Sequence, residues 1–210
     1  MNAVLEYLMK EKVVAVVRRL PGDVFAEVVA SLVNGGMRSI EVTMDADDAL
    51  LQIERMVNRY EDNVVVGAGT VFTSKQAQDA VQAGAKFLVC PHLDVSLLET
   101  AQKLGVPLIP GVMTPSEIQT AIANGAKAVK VFPASVVGPG FVRDVLGPFS
   151  GLSIMVTGGL TLSNFEPFLL AGAAVVGLGS FLFPRADLES GNWKGIETRA
   201  QQVMDVVKAL

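Results

Sequence analysis

The chain has 210 residues, half of them hydrophobic and only 18% charged, which fits one well-packed domain and excludes a disordered chain. A formal net charge of -4 and a pI near 5.1 argue against a nucleic-acid or membrane-surface partner. No apolar run is long enough to span a bilayer, Glu6, Lys10, Glu11 and Lys12 break any signal-peptide pattern, and Cys90 alone cannot form an internal disulfide, so the cytoplasm is the expected compartment.

Read from the amino terminus, residues 2–10 form an amphipathic helix. After it a repeat sets in: a helix-like apolar stretch ends in glycine and a β-rich run follows at once, as in "SLVNGGMRSIEV", "AVQAGAKFLVC", "AQKLGVPLIP", "AIANGAKAVKVF" and "LLAGAAVVGLG". Gly35, Gly84, Gly105, Gly125 and Gly172 are the expected left-handed residues that end these helices. The strand runs are Val13–Arg18, Ser39–Thr43, Val64–Gly69, Phe87–Cys90, Pro107–Pro110, Lys127–Phe132, Ser153–Thr157 and Ala174–Gly177. They are short and apolar on both faces, as parallel strands buried on both sides are, and their spacing of roughly 20 to 26 residues is that of a βα unit. Thr73 with Gln76 and Thr114 with Glu117 read as capping boxes, Pro115 taking the first helical position. Eight βα units predict an α/β fold, a (β/α)8 TIM barrel filling residues 1–210 as one domain, with the first helix plugging its bottom. A doubly wound open sheet is the rival architecture.

Barrel chemistry sits at the C-terminal ends of the strands, and side chains alternate along a strand. In "KAVKVF", Val129 and Val131 are expected to meet the outer helices, which turns Ala128, Lys130 and Phe132 inward. In "SIEVT", Ile40 and Val42 face out, and Ser39, Glu41 and Thr43 face in. One lysine and one glutamate thus enter the same barrel mouth. A desolvated lysine has a lowered pKa and a nucleophilic amine, and a carboxylate beside it can shuttle protons. A structural Lys130–Glu41 ion pair is the alternative reading. Arg18 shares the parity of Val14 and Val16 and is the best inward guanidinium for a carboxylate or phosphate, whereas Arg19 should point outward.

Glycine-rich turns close three strands. "TGG" (Thr157, Gly158, Gly159) and "GLGS" (Gly177 to Ser180, including Gly179) follow strands seven and eight, where barrels build a phosphate cradle from backbone amides. Tight turns without a ligand are the plainer reading. "GAGT" ends in Thr70, whose hydroxyl suits a carboxylate, with glycines that allow close approach of a ligand. In "CPH" (90–92), Pro91 shapes the pocket floor and Cys90 is a small core residue; a single histidine cannot furnish a zinc set, so no metal is expected. Asp45, Asp47 and Asp48 suit the start of the following helix better than a magnesium site. Trp193 and the methionines read as packing.

These residues carry a family resemblance over nearly the whole chain. "GGMRSIEVT", "VGAGTV", "CPHLD", "IPGVMTPSE", "KVFPAS", "GPF", "TGG" and "GLGS", in this order, resemble the KDPG/KHG aldolases, class I enzymes of the Entner–Doudoroff and related sugar-acid pathways. The resemblance implies a TIM barrel that assembles as a homotrimer, uses no cofactor and takes a small keto acid. It implies Schiff-base formation by Lys130, acid/base work by Glu41, carboxylate binding by Thr70, and a phosphate site at Gly158, Gly159 and Ser180. Two positions depart from the pattern. Asp45 stands where many members carry a carboxylate-binding arginine, which leaves Arg18 as the candidate for that role, and Ser135 stands where many carry glutamate. The implied reaction is cleavage of 2-keto-3-deoxy-6-phosphogluconate to pyruvate and glyceraldehyde 3-phosphate. The phosphogalactonate isomer and 4-hydroxy-2-oxoglutarate are alternative substrates. A phosphate-binding isomerase or epimerase barrel and a catalytically idle metabolite-binding barrel remain the rival functions.

Overall fold

The computed structural model describes Asn2–Leu210. The strands are β1 (Val13–Val17), β2 (Ser39–Thr43), β3 (Val65–Gly69), β4 (Leu88–Val89), β5 (Leu108–Ile109), β6 (Gly111–Val112), β7 (Ala128–Val131), β8 (Ser153–Thr157) and β9 (Val175–Leu178). All pairings are parallel, in the order β5-β4-β3-β2-β1-β9-β8-β7-β6. The two ends of that order, β5 and β6, are neighbours in the chain with only Pro110 between them. They are one barrel strand in two halves: the first pairs with β4, the second with β7. Proline has no N–H to give a ladder, but its carbonyl accepts the Lys130 N–H at 2.7 Å and helps close the ring. The fold is therefore the expected α/β TIM barrel, with the fifth strand extended past Pro110 and broken there.

The helices are α1 (Ala3–Glu11), α2 (Gly22–Asn34), α3 (Ala49–Tyr60), α4 (Ser74–Gln82), α5 (Val95–Leu104), α6 (Pro115–Ala123), α7 (Ala134–Leu146), α8 (Glu166–Leu170), α9 (Arg185–Ser190) and α10 (Trp193–Ala209). None is long and apolar enough to cross a membrane among the described residues. Alternation along the strands divides the core in two. Ile40, Val42, Val129, Val131, Ile154 and Val156 face out and pack under the helices. Val14, Phe87, Val89, Ile109, Ala128, Met155 and Val175 fill the lower barrel, where Leu5 and Leu8 of α1 join them. The amino-terminal helix is thus a plug, as its amphipathic pattern predicts.

Local signals hold with instructive exceptions. Thr114 and Glu117 form a complete capping box with Pro115 in the first turn. Thr73 caps the Gln76 N–H, but Gln76 reaches back to the Phe72 N–H, one residue short of a regular box. Gly84, Gly105, Gly125 and Gly172 are left-handed, whereas at the first repeat Gly36 is, with φ 97°, and Gly35 is not. Gly35 serves packing instead: a Cβ there would overlap Ala200 of α10. Asp48 accepts the Gln52 side-chain amide at 2.8 Å and makes no side-chain cap of α3.

Candidate active site

The upper end of the barrel opens into a cavity of about 850 Å³. It is lined by each residue expected to bind or act on substrate: Arg18, Glu41, Thr70, Pro91, Lys130, Phe132, Thr157, Gly158, Gly159, Gly179 and Ser180. Glu41 comes from the middle of β2 and Lys130 from β7, and both are buried, at 1% and 7% exposure. Lys130 Nζ lies 4.9 Å from the centre of the Phe132 ring, two residues on and on the same face. Burial pushes the Glu41 carboxyl above the usual carboxylate range, and the charges of Lys130 and Arg18 offset this only in part. Its Oε2 is buried without a hydrogen-bond partner, and no ion pair ties it to Lys130 among the described residues. A structural salt bridge would have satisfied both groups. Here the carboxyl is held unspent, facing the same space as the amine.

What holds Glu41 there is the strand beside it. β2 and β3 pair Glu41 with Gly67 and Thr43 with Gly69. A Cβ at Gly69 would overlap Glu41 Oε1, and one at Gly67 would overlap the Phe87 ring. The glycines expected to admit a ligand therefore admit two neighbouring side chains. Just beyond them Thr70 has φ 56°, a left-handed conformation that a β-branched residue rarely takes. Backbone strain of this kind, about 1–3 kcal/mol, gathers at binding sites.

Arg18 and Arg19 both meet Asp45. Arg18 reaches Asp45 Oδ2 with Nε at 2.9 Å and Nη2 at 2.8 Å, and Arg19 Nε reaches the same oxygen at 2.8 Å. The outward orientation expected of Arg19 is not found. Its φ of 50° ends the strand alternation and turns it toward the cavity, which it also lines. Burial works to raise the Asp45 carboxyl, but the Thr43 hydroxyl and the guanidinium groups of Arg18 and Arg19 together hold it below the usual range. The carboxylate thus fixes two arginines at the cavity mouth and neutralises one of their two charges.

Across the mouth, Gly158 (φ 98°) and Gly159 (φ 72°) make the turn after β8. Ser135 packs into it: its N–H donates to the Gly158 carbonyl at 3.1 Å, and a Cβ at Gly159 would overlap its hydroxyl. Gly179 and Ser180 follow β9 on the next turn. Pro91 stands in the wall, His92 stacks on Phe72 (ring centres 5.5 Å apart), and the buried Cys90 thiol donates to the His92 carbonyl at 3.0 Å. No motif or strand pattern points to Arg199, which lines the cavity from α10. Strand alternation cannot show which residue of an outer helix reaches over the rim.

A buried lysine and a buried glutamate in one cavity at the C-terminal ends of the strands fit a barrel enzyme of the aldolase class. The family described as KDPG and KHG aldolase matches residues 4–199, and the chain belongs to it. A 2-dehydro-3-deoxy-phosphogluconate aldolase of Haemophilus influenzae is 32% identical over 206 residues, covering 98% of this chain and 97% of the relative. A probable 2-dehydro-3-deoxy-6-phosphogalactonate aldolase of Rhizobium meliloti is also 32% identical, over 83% of each chain. Among solved structures, the KDPG aldolase of Legionella pneumophila with pyruvate captured as a covalent carbinolamine superposes with a TM-score of 0.85. It is 32% identical, over 91% of this chain and 93% of that one.

Proposed function

We propose that the protein is a class I aldolase that cleaves 2-keto-3-deoxy-6-phosphogluconate, with Lys130 as the imine-forming residue and Glu41 as the general acid/base. The Lys130 amine, once it has given up its proton, attacks the C2 ketone to give a carbinolamine, Glu41 supplies the proton with which water leaves, and an iminium forms. Glu41 then takes the proton of the C4 hydroxyl. The C3–C4 bond breaks, its electron pair passing into the iminium to leave an enamine on Lys130, and glyceraldehyde 3-phosphate departs. Protonation at C3 restores the iminium, and water releases pyruvate and the free lysine. The raised Glu41 carboxyl suits a group that must both give and take a proton near neutrality. Thr70 and Arg18 hold the substrate carboxylate, Pro91 and Phe132 wall the keto-acid end, and Thr157, Gly158, Gly159, Gly179 and Ser180 receive the phosphate.

The observation that carries this reading is the buried carboxyl of Glu41, its Oε2 without a hydrogen-bond partner, sharing one cavity with Lys130. The carbinolamine of pyruvate in the Legionella relative supports the same chemistry. The Rhizobium relative supports a second substrate, the phosphogalactonate isomer, which differs at C4. The assembly we propose is the homotrimer that the family resemblance implies, and a monomeric mass by light scattering would contradict it. The chemical test is borohydride reduction with pyruvate followed by peptide mapping. A reduced pyruvate adduct on Lys130, lost in a folded and inactive Lys130→Ala variant, is the expected result. No adduct despite pyruvate binding would overturn the imine assignment.

A further inference from the structure

Arg199 lies on the outer helix α10, yet its side chain reaches the cavity rim beside Gly179, Ser180 and Phe181. Its Nε donates to the Leu182 carbonyl at 3.0 Å, and its Nη2 pairs with Asp187 of α9. Leu182 is fully buried, and its own N–H donates to the Gly179 carbonyl at 2.9 Å. These two bonds form a strut from the guanidinium through Leu182 to Gly179. Asp187 is braced in turn, accepting the Asn192 side-chain amide at 2.8 Å and giving its N–H to the Pro184 carbonyl at 2.9 Å. The Arg199 and Asp187 side chains are only 22% and 15% exposed, so solvent does little to loosen the pair. A planar guanidinium tied on two edges has one orientation.

We propose that Arg199 is a positioning residue for phosphate recognition. Through Leu182 it fixes the Gly179–Ser180 turn in the shape that lets backbone approach a phosphate, and so sets the preference for phosphorylated over unphosphorylated keto acids. The inference rests on the reading of that turn as the phosphate cradle. A residue that merely braced α9 against α10 would matter equally for every substrate. A residue that sets the cradle matters only for a substrate with something to put in it.

The test compares kcat and KM for 2-keto-3-deoxy-6-phosphogluconate and for 2-keto-3-deoxygluconate, the same acid without its phosphate. The variants are Arg199→Ala, Arg199→Lys and Asp187→Asn. Loss of the strut should raise KM for the phosphorylated acid on the order of tenfold, with kcat and the KM for the other acid little changed. Lysine can keep the carbonyl bond and should restore part of the loss. Asp187→Asn should show a smaller rise of the same selectivity. Equal effects on both acids, or none on either, would overturn the inference and leave a structural brace. A wild-type enzyme indifferent to the phosphate would overturn it too. Failure of the wild type to turn over either acid would instead strike at the proposed function beneath it. Should the alanine variant not fold, the lysine and Asp187 variants decide.

Discussion

Gly69→Ala is the sharpest probe of the active site, because it adds one methyl group and changes no chemistry. Gly69 has no left-handed φ, so alanine fits the backbone. The methyl group would overlap Glu41 Oε1. Non-bonded atoms in ordinary contact sit about 3.5 Å apart, so the carboxyl must retreat by more than about 1 Å. A misplacement of that size costs on the order of 100-fold in rate, about 2.7 kcal/mol of transition-state stabilisation. The assay is pyruvate release, coupled to NADH oxidation by lactate dehydrogenase, with thermal unfolding as a check on the fold. We expect kcat to fall by about two orders of magnitude while KM moves little, because the displaced group transfers protons and does not hold the substrate. A folded variant whose kcat stays within about fivefold of wild type would refute the placement of Glu41 in proton transfer.

The remaining predictions concern charge. Since burial raises the Glu41 carboxyl, the acidic limb of kcat/KM against pH should lie above the ordinary glutamate value of 4.5, and it should vanish from the residual activity of Glu41→Gln. A limb at or below 4.5 would contradict that environment. The same shift bears on stability. A raised folded pKa means that Glu41 favours folding fully below its unfolded value and loses this as pH rises through its folded value. Glu41→Gln should therefore melt higher than wild type at neutral pH, with the gap narrowing toward pH 4; a lower melting temperature at pH 7 would count against it. Asp45 has the opposite sign. Its depressed carboxyl adds stability above its unfolded pKa of 3.8 and loses it as pH falls through the folded value. Asp45→Asn should lose no more than about 1 kcal/mol at neutral pH, because its partners are exposed, and should match wild type at the acid end. Calorimetry showing equal acid sensitivity in the two proteins would rule this out.

The candidate pair, Lys130 and Glu41, was legible because strand alternation is strict. Once "KAVKVF" and "SIEVT" are strands, the outward valines and isoleucine leave Lys130 and Glu41 nowhere to go but inward. Alternation fails where a strand ends, and so it points Arg19 the wrong way: one left-handed residue reverses its direction. The helix-ending glycine at the first repeat was misplaced by one because two glycines stand together and only packing against Ala200 tells them apart. The glycines of "GAGT" signal close approach, but the sequence cannot say of what; the answer, Glu41 and Phe87, needs the neighbouring strands. Arg199 was invisible because its place at the rim depends on tertiary geometry, on how α10 and the Leu182 turn meet there.

The helical plug at the foot of the barrel has a kinetic meaning. Leu5 and Leu8 fill that end, so the proposed reaction would use the upper cavity as its one doorway, and a single doorway makes a queue. In the proposed reaction the three-carbon fragment on Lys130 would stand at the back, with the aldehyde fragment between it and the exit. Cleavage must therefore release the aldehyde before pyruvate. Run in reverse, condensation must admit pyruvate first, and an aldehyde that arrives early blocks its own partner.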